Sequence, residues 1–456
     1  MTARYLERAR IVAPPGWSRW LVPPAALSIQ LAIGQAYAWS VFKKPLETSL
    51  GISGVASALP FTLGIVMLGL SAALFGTVVD RNGPRWAMLV SMCCFCGGFF
   101  LSALGVSIGQ YWLVVLGYGV VGGIGLGIGY ISPVSTLIRW FPDRPGLATG
   151  IAIMGFGGGA LIAAPWSSSM LSAFGATGAH PDPGGIATAF LILGAGYAVF
   201  MSLGWLLIRV PARDWRPAGW QPTADPVSGL ISAGSVTARN AIRTPQFWLL
   251  WVVLCFNVTA GIGILERAAP IYTDFFPRGS GLTASAAGFV AILSLANMLG
   301  RLGWSATSDA LGRKNIYRLN LGAGAALYLV LTLTANANKV VFLVCCMLIL
   351  SFYGAGFATV PAYLRDLFGN YQVGAIHGRL LTAWSVAGVI GPVIVNAIAD
   401  HRIAAGVTGP GRYTLSFSIM IGLLVVGFVC NELIHPVHPR FHQPAPERVA
   451  GQVATA

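Results

Sequence analysis

Residues 56–85 read ASALPFTLGIVMLGLSAALFGTVVDRNGPR, an apolar run that ends in a short charged turn. The run from 56 to 79 has no charged residue and exceeds the roughly 20 residues that a helix needs to cross a bilayer. The turn that follows brings together Asp80, Arg81 and Arg85 around Gly83. These residues predict a membrane-spanning helix that ends in a charged turn at the membrane surface.

The composition of the whole chain extends this interpretation. Of its 456 residues, 55% are hydrophobic and 9% are charged, and the mean hydropathy is +0.73. A soluble globular protein carries roughly 25% charged residues, so a soluble protein of this size is excluded. Twelve apolar stretches are long enough to cross a bilayer: 20–42, 56–79, 86–108, 111–138, 147–171, 186–208, 246–273, 284–308, 316–335, 340–364, 374–399 and 413–434. The predicted fold class is an all-α multi-pass membrane protein with twelve transmembrane helices in two six-helix bundles.

The polar segment between the sixth and seventh stretches divides the chain. We predict an N-terminal six-helix bundle at 1–208, a cytoplasmic linker at 209–245, a C-terminal six-helix bundle at 246–434 and a cytoplasmic tail at 435–456. Most of the 28 Lys and Arg residues fall in segments that are cytoplasmic if the N-terminus is inside, as the positive-inside rule requires. We therefore expect a cell (inner) membrane protein with both termini in the cytoplasm.

Composition also limits the function classes. The net charge of +14 comes from basic residues scattered between apolar stretches, which indicates cytoplasmic loops and no nucleic-acid partner. The seven cysteines lie within apolar stretches and do not indicate a disulfide framework. Neither a metal-ligand pair nor a nucleophile with a nearby base occurs at mid-membrane depth, so we expect no enzyme, metal or cofactor. We expect a monomer in the lipid bilayer.

The charged turn occurs twice. Residues 305–314 read SATSDALGRK, which places Asp309 229 positions after Asp80. Two further pairs of motifs repeat at nearly the same offset: Arg139-Trp-Phe with Arg365-Asp-Leu-Phe, and Gly146 and Gly150 with Gly374 and Gly378. Matches at nearly one offset indicate an internal duplication, which in transporters places the substrate site where the repeats meet.

Each charged turn is a candidate gate at the cytoplasmic surface. Its carboxylate can cap a helix N-terminus or pair with a basic residue, and its arginine can pair with a carboxylate in a neighbouring helix. The alternative is a solvated turn whose charges only satisfy the positive-inside rule. The predicted gate residues are Asp80, Arg81, Arg85, Asp309, Arg313 and Lys314. Such an Asp-x-x-Gly turn with basic residues in each half resembles the signature of the major facilitator superfamily, and the resemblance covers the whole chain.

Arg301 is a candidate for substrate binding because it lies deep in an apolar stretch. It precedes Asp309 by eight residues, roughly 12 Å of helix, which places it near the middle of a hydrocarbon core about 30 Å thick. Such a charge usually faces a cavity, and a guanidinium fork matches a carboxylate. Asn297, one helical turn away, can orient the guanidinium or bond a substrate oxygen. The alternative is an arginine that pairs with a carbonyl between helices.

Other polar residues lie within apolar stretches. Tyr130 falls at a depth similar to that of Arg301 and can offer a hydroxyl to a cavity, although packing is the usual role of such a ring. Glu266 lies nearer the outer end of the seventh stretch and is a candidate proton carrier; a structural pair with Arg267 is the alternative. His377 enters the eleventh stretch near its cytoplasmic start, where we expect interface residues, but it can titrate near neutral pH.

Four motifs are similar to those of the oxalate/formate antiporter family, relatives of the monocarboxylate transporters. They are Tyr37-Ala-Trp39-Ser-Val-Phe42-Lys-Lys-Pro45-Leu46, Gly129-Tyr130-Ile-Ser-Pro133 continuing to Arg144, Asn297-x-x-Gly300-Arg301, and Leu381-Thr-Ala-Trp384-Ser-Val-Ala-Gly388. The resemblance implies a rocking two-bundle carrier of small carboxylates with Arg301 as the carboxylate anchor. It also implies an aromatic cage. The ring candidates for substrate binding are Tyr37, Tyr130, Tyr353, Phe357 and Trp384.

One difference from the family changes the expected substrate. The oxalate-exchanging members that this chain resembles use a lysine in the eleventh helix as a second cation, whereas the matching residues here are Thr382, Ala383 and Trp384. We therefore expect a secondary active transporter of a monocarboxylate such as lactate, pyruvate or formate, working by alternating access with proton symport or anion exchange. The alternatives are an oxalate or dicarboxylate antiporter and a non-transporting carboxylate-binding membrane receptor. Animal monocarboxylate carriers place an acid where this chain has Asn297, so a coupled proton would need Glu266 or the substrate itself.

Overall fold

The computed structural model describes residues 11–176, 181–212, 215–220, 234–266, 268–276, 286–334 and 338–443. These residues include seventeen α-helical segments. In chain order the helices are α1 Val22–Ile33, α2 Ser40–Leu50, α3 Gly54–Asn82, α4 Pro84–Ser107, α5 Tyr111–Val114, α6 Gly123–Trp140, α7 Pro145–Ala173, α8 Pro183–Leu207, α9 Ala238–Ala241, α10 Pro245–Glu266, α11 Ala268–Phe275, α12 Ala286–Leu311, α13 Arg313–Thr334, α14 Lys339–Phe368, α15 Val373–Leu380, α16 Thr382–Ala404 and α17 Thr414–Glu432. A π-helical segment at Val115–Gly122 joins α5 to α6.

Ten helical segments among the described residues are long and apolar enough to cross a membrane. Two more complete the twelve crossings expected from the sequence: α1 with α2, which a 3-10 stretch at Gly34–Ala38 interrupts, and α12, which carries Arg301. The predicted all-α multi-pass fold is confirmed. One detail differs, because α2 extends the first crossing beyond residue 42 to Leu50 and so includes Lys43 and Lys44.

Side chains at helix starts explain several of these boundaries. Ser53 accepts a hydrogen bond from the backbone N–H of Ala56 at the start of α3. Asp182 and Asn338 do the same for the first N–H groups of α8 and α14. Each such cap satisfies backbone donors that the helix itself leaves without an acceptor. The polar residue just before an apolar run therefore fixes where the crossing begins.

Packing separates contacts within each half from contacts between the halves. In the N-terminal half α4 packs against α8 and α3 against α6, and in the C-terminal half α12 packs against α14 and α13 against α17. The halves meet chiefly through α7 with α12 and α14, and through α3 with α15 and α16. A Cβ at Gly146 would lie 2.2 Å from the Ser305 carbonyl oxygen, and one at Gly378 would lie 2.0 Å from the Ala72 carbonyl oxygen. The repeated glycines therefore let backbones of opposite halves approach closely.

The glycines of the two charged turns have similar φ angles. Gly83 and Gly312 have φ of 89° and 84°, a left-handed region that favours glycine. Two residues further on, Arg85 donates to a carbonyl at the end of α8 and Lys314 donates to carbonyls just beyond and at the end of α17. Each basic residue thus braces the last helix of its own half, a contact that the predicted gate role did not include.

The segments predicted as linker and tail contact the bundles where they are described. Val210 forms a β-bridge with Val12, and the Trp140 indole donates to the Arg209 carbonyl. In the tail, His442 forms a bridge with Val236 of the linker. The remaining linker residues 213–214 and 221–233 and the tail beyond residue 443 lie outside the described residues.

Candidate functional site

The two repeated aspartates lie at the contact between the halves. Asp309, near the end of α12, accepts hydrogen bonds from the N–H groups of Gly146 and Leu147, at 2.8 and 2.9 Å, in the first turn of α7. Asp80, near the end of α3, accepts one at 2.9 Å from the N–H of Ala375, in the first turn of α15. Each carboxylate therefore caps the positive end of a helix in the other half. We call this end of the molecule the aspartate end and the other the opposite end.

The predicted basic gate residues occupy different places. Arg313 forms ion pairs with Asp309 at 2.7 Å and with Asp366 at 3.3 Å, both in the C-terminal half. Arg81 is exposed at the aspartate end. The structure therefore brings the carboxylates of the two turns to the contact between the halves, and leaves their basic residues beside it.

Two arginines that the sequence showed only as repeat markers also lie at the aspartate end. Arg139 forms an ion pair with Asp80 at 3.5 Å, and Arg365 donates twice, at 3.1 Å, to the Pro142 carbonyl in the other half. A cavity of about 910 Å³ opens there between the halves and the linker. Its basic lining residues are Arg81, Arg139, Arg216 and Arg365. We call this cavity the arginine vestibule.

Arg301 is fully buried where α12 meets α7. Its Nε donates to the Asn297 Oδ1 at 3.1 Å, and its Nη1 donates to the Ile153 carbonyl at 3.3 Å. A Cβ at Gly157 would lie 3.0 Å from the Arg301 Nε, so the guanidinium fits here because residue 157 has no side chain. Asn297 therefore positions the guanidinium from the same helix, α12. The N-terminal half supplies the Ile153 carbonyl as an acceptor and, at Gly157, the space that the guanidinium occupies.

Aromatic rings from both halves lie around this guanidinium. We call them the aromatic cluster, and its members are Tyr37, Tyr130, Phe156, Tyr353, Phe357 and Trp384. The Arg301 guanidinium carbon is 5.2 Å from the Phe357 ring centroid and 5.9 Å from that of Phe156. The hydroxyls of Tyr37 and Tyr353 form a 3.2 Å hydrogen bond between the halves. All five aromatic residues singled out in the sequence therefore fall in one cluster.

Phe156 is the member that sequence reasoning missed. Its ring contacts those of Tyr37, Tyr130 and Trp384 at centroid distances of 5.1, 5.4 and 5.5 Å. The sequence did contain a signal, because residues 155–159 read GFGGG and Phe156 is the one side chain larger than hydrogen in that run. A lone ring among glycines in a membrane helix indicates a place where backbones come close around it.

Several buried polar atoms in and beside the cluster have no hydrogen-bond partner among the described residues. They are Arg301 Nη2, Tyr130 Oη, Trp384 Nε1 and His377 Nε2. None of these side chains is more than 2% exposed. Leaving a buried donor unpaired costs about 1–3 kcal/mol, and folded proteins rarely do so. Since guanidinium and indole nitrogens are donors only, this arrangement suits a ligand rich in acceptors, such as a carboxylate.

A cavity of about 230 Å³ approaches the cluster from the opposite end. Lys43 and Leu265 line its outer part, and Tyr37, Asn297 and Gly157 line it next to the anchor. Arg301 itself is not among its lining residues and lies behind Asn297 and Gly157. The halves are therefore joined at the aspartate end, while the cavity at the opposite end stops one side chain short of the guanidinium.

Glu266, the predicted proton carrier, is the last residue of α10. Its side chain, and the whole of Arg267, lie outside the described residues. The proton role proposed for Glu266 from the sequence therefore stays a prediction.

Sequence comparisons agree with this architecture. The sequence pattern of the Major Facilitator Superfamily matches residues 25–392. The chain is 26% identical over 388 residues to the oxalate:formate antiporter of Oxalobacter formigenes, which covers 84% of this chain and 86% of that protein. It is 25% identical over 431 residues to apicoplast pyruvate carrier 1 of Toxoplasma gondii, which covers 84% of this chain and 74% of that protein.

Solved structures are similar in fold. FucP, the fucose:proton symporter of E. coli, superposes in its outward conformation with a TM-score of 0.63 at 16% identity, covering 90% of this chain and 98% of FucP. An outward-facing bacterial homologue of the iron transporter ferroportin gives a TM-score of 0.65 at 13% identity, with the same coverage. Since the family pattern covers most of the chain and the fold agrees with it, this protein belongs to the Major Facilitator Superfamily and is a transporter, not an enzyme.

Proposed function

We propose that this protein is a secondary active transporter of a small monocarboxylate, of the lactate, pyruvate or formate type, working by alternating access. Arg301 binds the carboxylate, Asn297 orients the guanidinium, and the aromatic cluster encloses the rest of the substrate. The distribution of Lys and Arg supports an orientation with the aspartate end in the cytoplasm. In that orientation the 230 Å³ cavity faces the outside.

One observation carries this proposal: Arg301 is fully buried, yet its Nη2 has no partner in the described part of the chain. A guanidinium has five donors, and a purely structural arginine in a low-dielectric site is stable only when they are satisfied. The Ile153 carbonyl accepts from Nη1 and Asn297 accepts from Nε, which leaves Nη2 without an acceptor, and the hydroxyls of Tyr37 and Tyr130 lie near the guanidinium. A bidentate carboxylate would satisfy Nη2 and bring its own counter-charge.

The size and charge of the site favour a small substrate with one carboxylate. The cavity of about 230 Å³ is smaller than the roughly 300–1,000 Å³ of pockets for drug-sized ligands. Arg301 is the arginine that the aromatic cluster surrounds, and residues 382–384 of α16 offer no second cation beside it, while Lys43 lines the outer part of the cavity. Two relatives are named for small carboxylates, the oxalate:formate antiporter and the pyruvate carrier, which supports the substrate class.

Contacts between the halves supply the alternation. Asp80 and Asp309 close the aspartate end by capping helices of the other half, and the Tyr37–Tyr353 hydrogen bond links the halves near the opposite end of the site. Breaking the two caps would open the site into the arginine vestibule. The positive charge of that vestibule would raise the local concentration of an anion that enters or leaves.

Uptake into proteoliposomes tests the proposal. Labelled lactate, pyruvate, formate and oxalate are compared, and we expect a monocarboxylate to be preferred over oxalate. Removing one partner of a buried charged hydrogen bond costs about 2–5 kcal/mol, so Arg301→Gln should weaken substrate affinity at least about 30-fold. Arg301→Lys keeps the charge without the planar fork and should recover only part of this loss.

Arg318→Gln is the matched control, because Arg318 pairs with Glu432 on an exposed surface of the C-terminal half. We expect it to transport like the wild type. Wild-type transport by Arg301→Gln would remove Arg301 from the site. Oxalate preferred over every monocarboxylate would favour the dicarboxylate antiporter, and binding without uptake by the wild type would favour a receptor.

A further inference from the structure

His377 lies on α15, between the aspartate end and the aromatic cluster. Its side chain is 2% exposed, its ring centroid is 5.9 Å from that of Tyr130, and its Nε2 has no partner among the described residues. It follows Ala375, the residue capped by Asp80, by two positions. Tyr130 in turn lies close enough to Arg301 to interact with its charge. One aromatic ring therefore separates this imidazole from the proposed carboxylate anchor.

The ionisable groups near this imidazole do not pair with it. Those on α15 and on the elements packed against it at this end are Asp80 and Arg81 of α3, Tyr130 and Arg139 of α6, Arg239 of α9, Cys255 of α10, Tyr363, Arg365 and Asp366 of α14, and Arg379 of α15. Asp80 pairs with Arg139, Asp366 pairs with Arg313 at the start of α13, and Arg239 is exposed. Tyr130 is the member of this set whose ring contacts His377. Within the described ranges, then, no carboxylate holds a proton on this imidazole.

A buried imidazole without an acidic partner stays neutral, because burial disfavours its charged form. A carboxylate bound to Arg301 would bring a negative charge to the other side of the Tyr130 ring and favour protonation. By linkage, a proton on the imidazole would favour carboxylate binding by the same factor. We propose that His377 is the proton-binding group of a proton–monocarboxylate symport, an inference that rests on the function proposed above.

The coupled step balances in charge and atoms. With the site open to one side, an imidazole nitrogen lone pair accepts a proton from water, and a new N–H bond forms as the carboxylate binds Arg301. The imidazolium and the carboxylate then cross together. On the other side the N–H bond breaks, the proton returns to water and the carboxylate leaves. Each cycle moves one proton with one carboxylate, and no net charge crosses the membrane.

Two assays on the same proteoliposomes test this proposal with labelled lactate, using empty liposomes to subtract passive diffusion. The first is accumulation driven by an inward proton gradient, and the second is counterflow at equal pH. A gradient of about two pH units can sustain up to about 100-fold accumulation in a one-to-one symport, since each pH unit is a tenfold ratio. We expect His377→Gln to lose this accumulation by at least about tenfold while counterflow stays measurable, because exchange of bound substrate needs no net proton release.

His401→Gln is the matched control, since His401 is an exposed histidine near the end of α16. It should accumulate lactate like the wild type. Wild-type accumulation by His377→Gln would overturn the proposal, and the same result together with a loss of accumulation in Glu266→Gln would assign the proton to Glu266. Absence of counterflow in the wild type would instead contradict the proposed function itself.

A measurement on the wild type covers the case in which His377→Gln does not fold. Lactate is added to the purified transporter in weakly buffered solution with a pH indicator. We expect about one proton to be taken up per bound lactate near neutral pH, because the imidazole is neutral before binding and charged after it. Binding without proton uptake would refute the assignment.

Discussion

Asp309→Asn is the perturbation that most directly tests how the aspartate end closes. Asp309 is 18% exposed, and its two oxygens accept one hydrogen bond each from Gly146 and Leu147 of the other half. Asparagine keeps one acceptor oxygen and replaces the other by an NH₂ group that faces an N–H donor. Arg313 keeps its ion pair with Asp366 in the variant, so this contact within the C-terminal half is retained.

The free energy that Asp309→Asn removes from the closed state can be estimated from these contacts. Hydrogen bonds to a charged group contribute about 1.5–3 kcal/mol each, and a carboxylate at a helix N-terminus contributes up to about 2 kcal/mol when partly buried. These effects overlap, so we take the loss of one charge-assisted bond as about 2 kcal/mol. That free energy corresponds to a roughly 30-fold shift from the closed toward the open aspartate end.

Distances between spin labels at Asn82 and Leu311, one at the aspartate end of each half, measure this shift in a background without accessible native cysteines. We expect Asp309→Asn to enlarge the population with long distances. Asp143→Asn is the matched control, because Asp143 pairs with Arg19 inside the N-terminal half at the same end. An equal response of both variants, or none in Asp309→Asn, would refute the idea that capping across the halves closes this end.

Two further variants test the site. Gly157→Ala places a Cβ 3.0 Å from the Arg301 Nε, so the guanidinium must move; lactate uptake at low concentration should fall about tenfold, while Gly97→Ala, whose Cβ would have no neighbour within 4 Å, should transport normally. Tyr37→Phe removes the hydrogen bond to Tyr353, worth about 1 kcal/mol, and should shift the opposite end about fivefold toward its open state, as measured by spin labels there. Unchanged distances would show that this bond does not hold the halves together.

The sequence predicted the crossings because apolar length and charge are imposed directly by the bilayer. It did not predict the break in the first crossing, where residues 34–38 form a 3-10 stretch between α1 and α2. Only Gly34 in the segment GQAYA has a low helix propensity, and hydropathy reports the solvent around a segment and not its backbone hydrogen bonds. The same reason explains why the predicted apolar stretch ends at residue 42, whereas α2 continues to Leu50.

Depth in the membrane could be read from the sequence, whereas rotation about the helix axis could not. Counting from Asp309 predicted that Arg301 lies near mid-membrane, and the structure buries it among Tyr130, chosen at a similar depth, and the rings that the family resemblance implied. Which neighbours face it depends on how helices of different halves are rotated against each other. The Ile153 carbonyl therefore left no mark in the sequence, whereas Phe156 stood out as a lone ring among glycines without indicating that it faces Arg301.

The crosswise arrangement of the caps explains why a duplicated turn suits a transporter. A carboxylate that capped a helix of its own half would stabilise the open and closed states equally and shift no population. Asp80 and Asp309 instead bind helices that separate when the aspartate end opens, so their hydrogen bonds stabilise the closed state only. Because of the duplication, each half contributes one aspartate that caps a helix of the other half. The two halves therefore cannot separate at the aspartate end without breaking both caps. We therefore expect the double variant Asp80→Asn/Asp309→Asn to change the free-energy difference between the closed and open aspartate end, obtained from the spin-label populations, by the sum of the two single effects, as for separated sites with no shared partner.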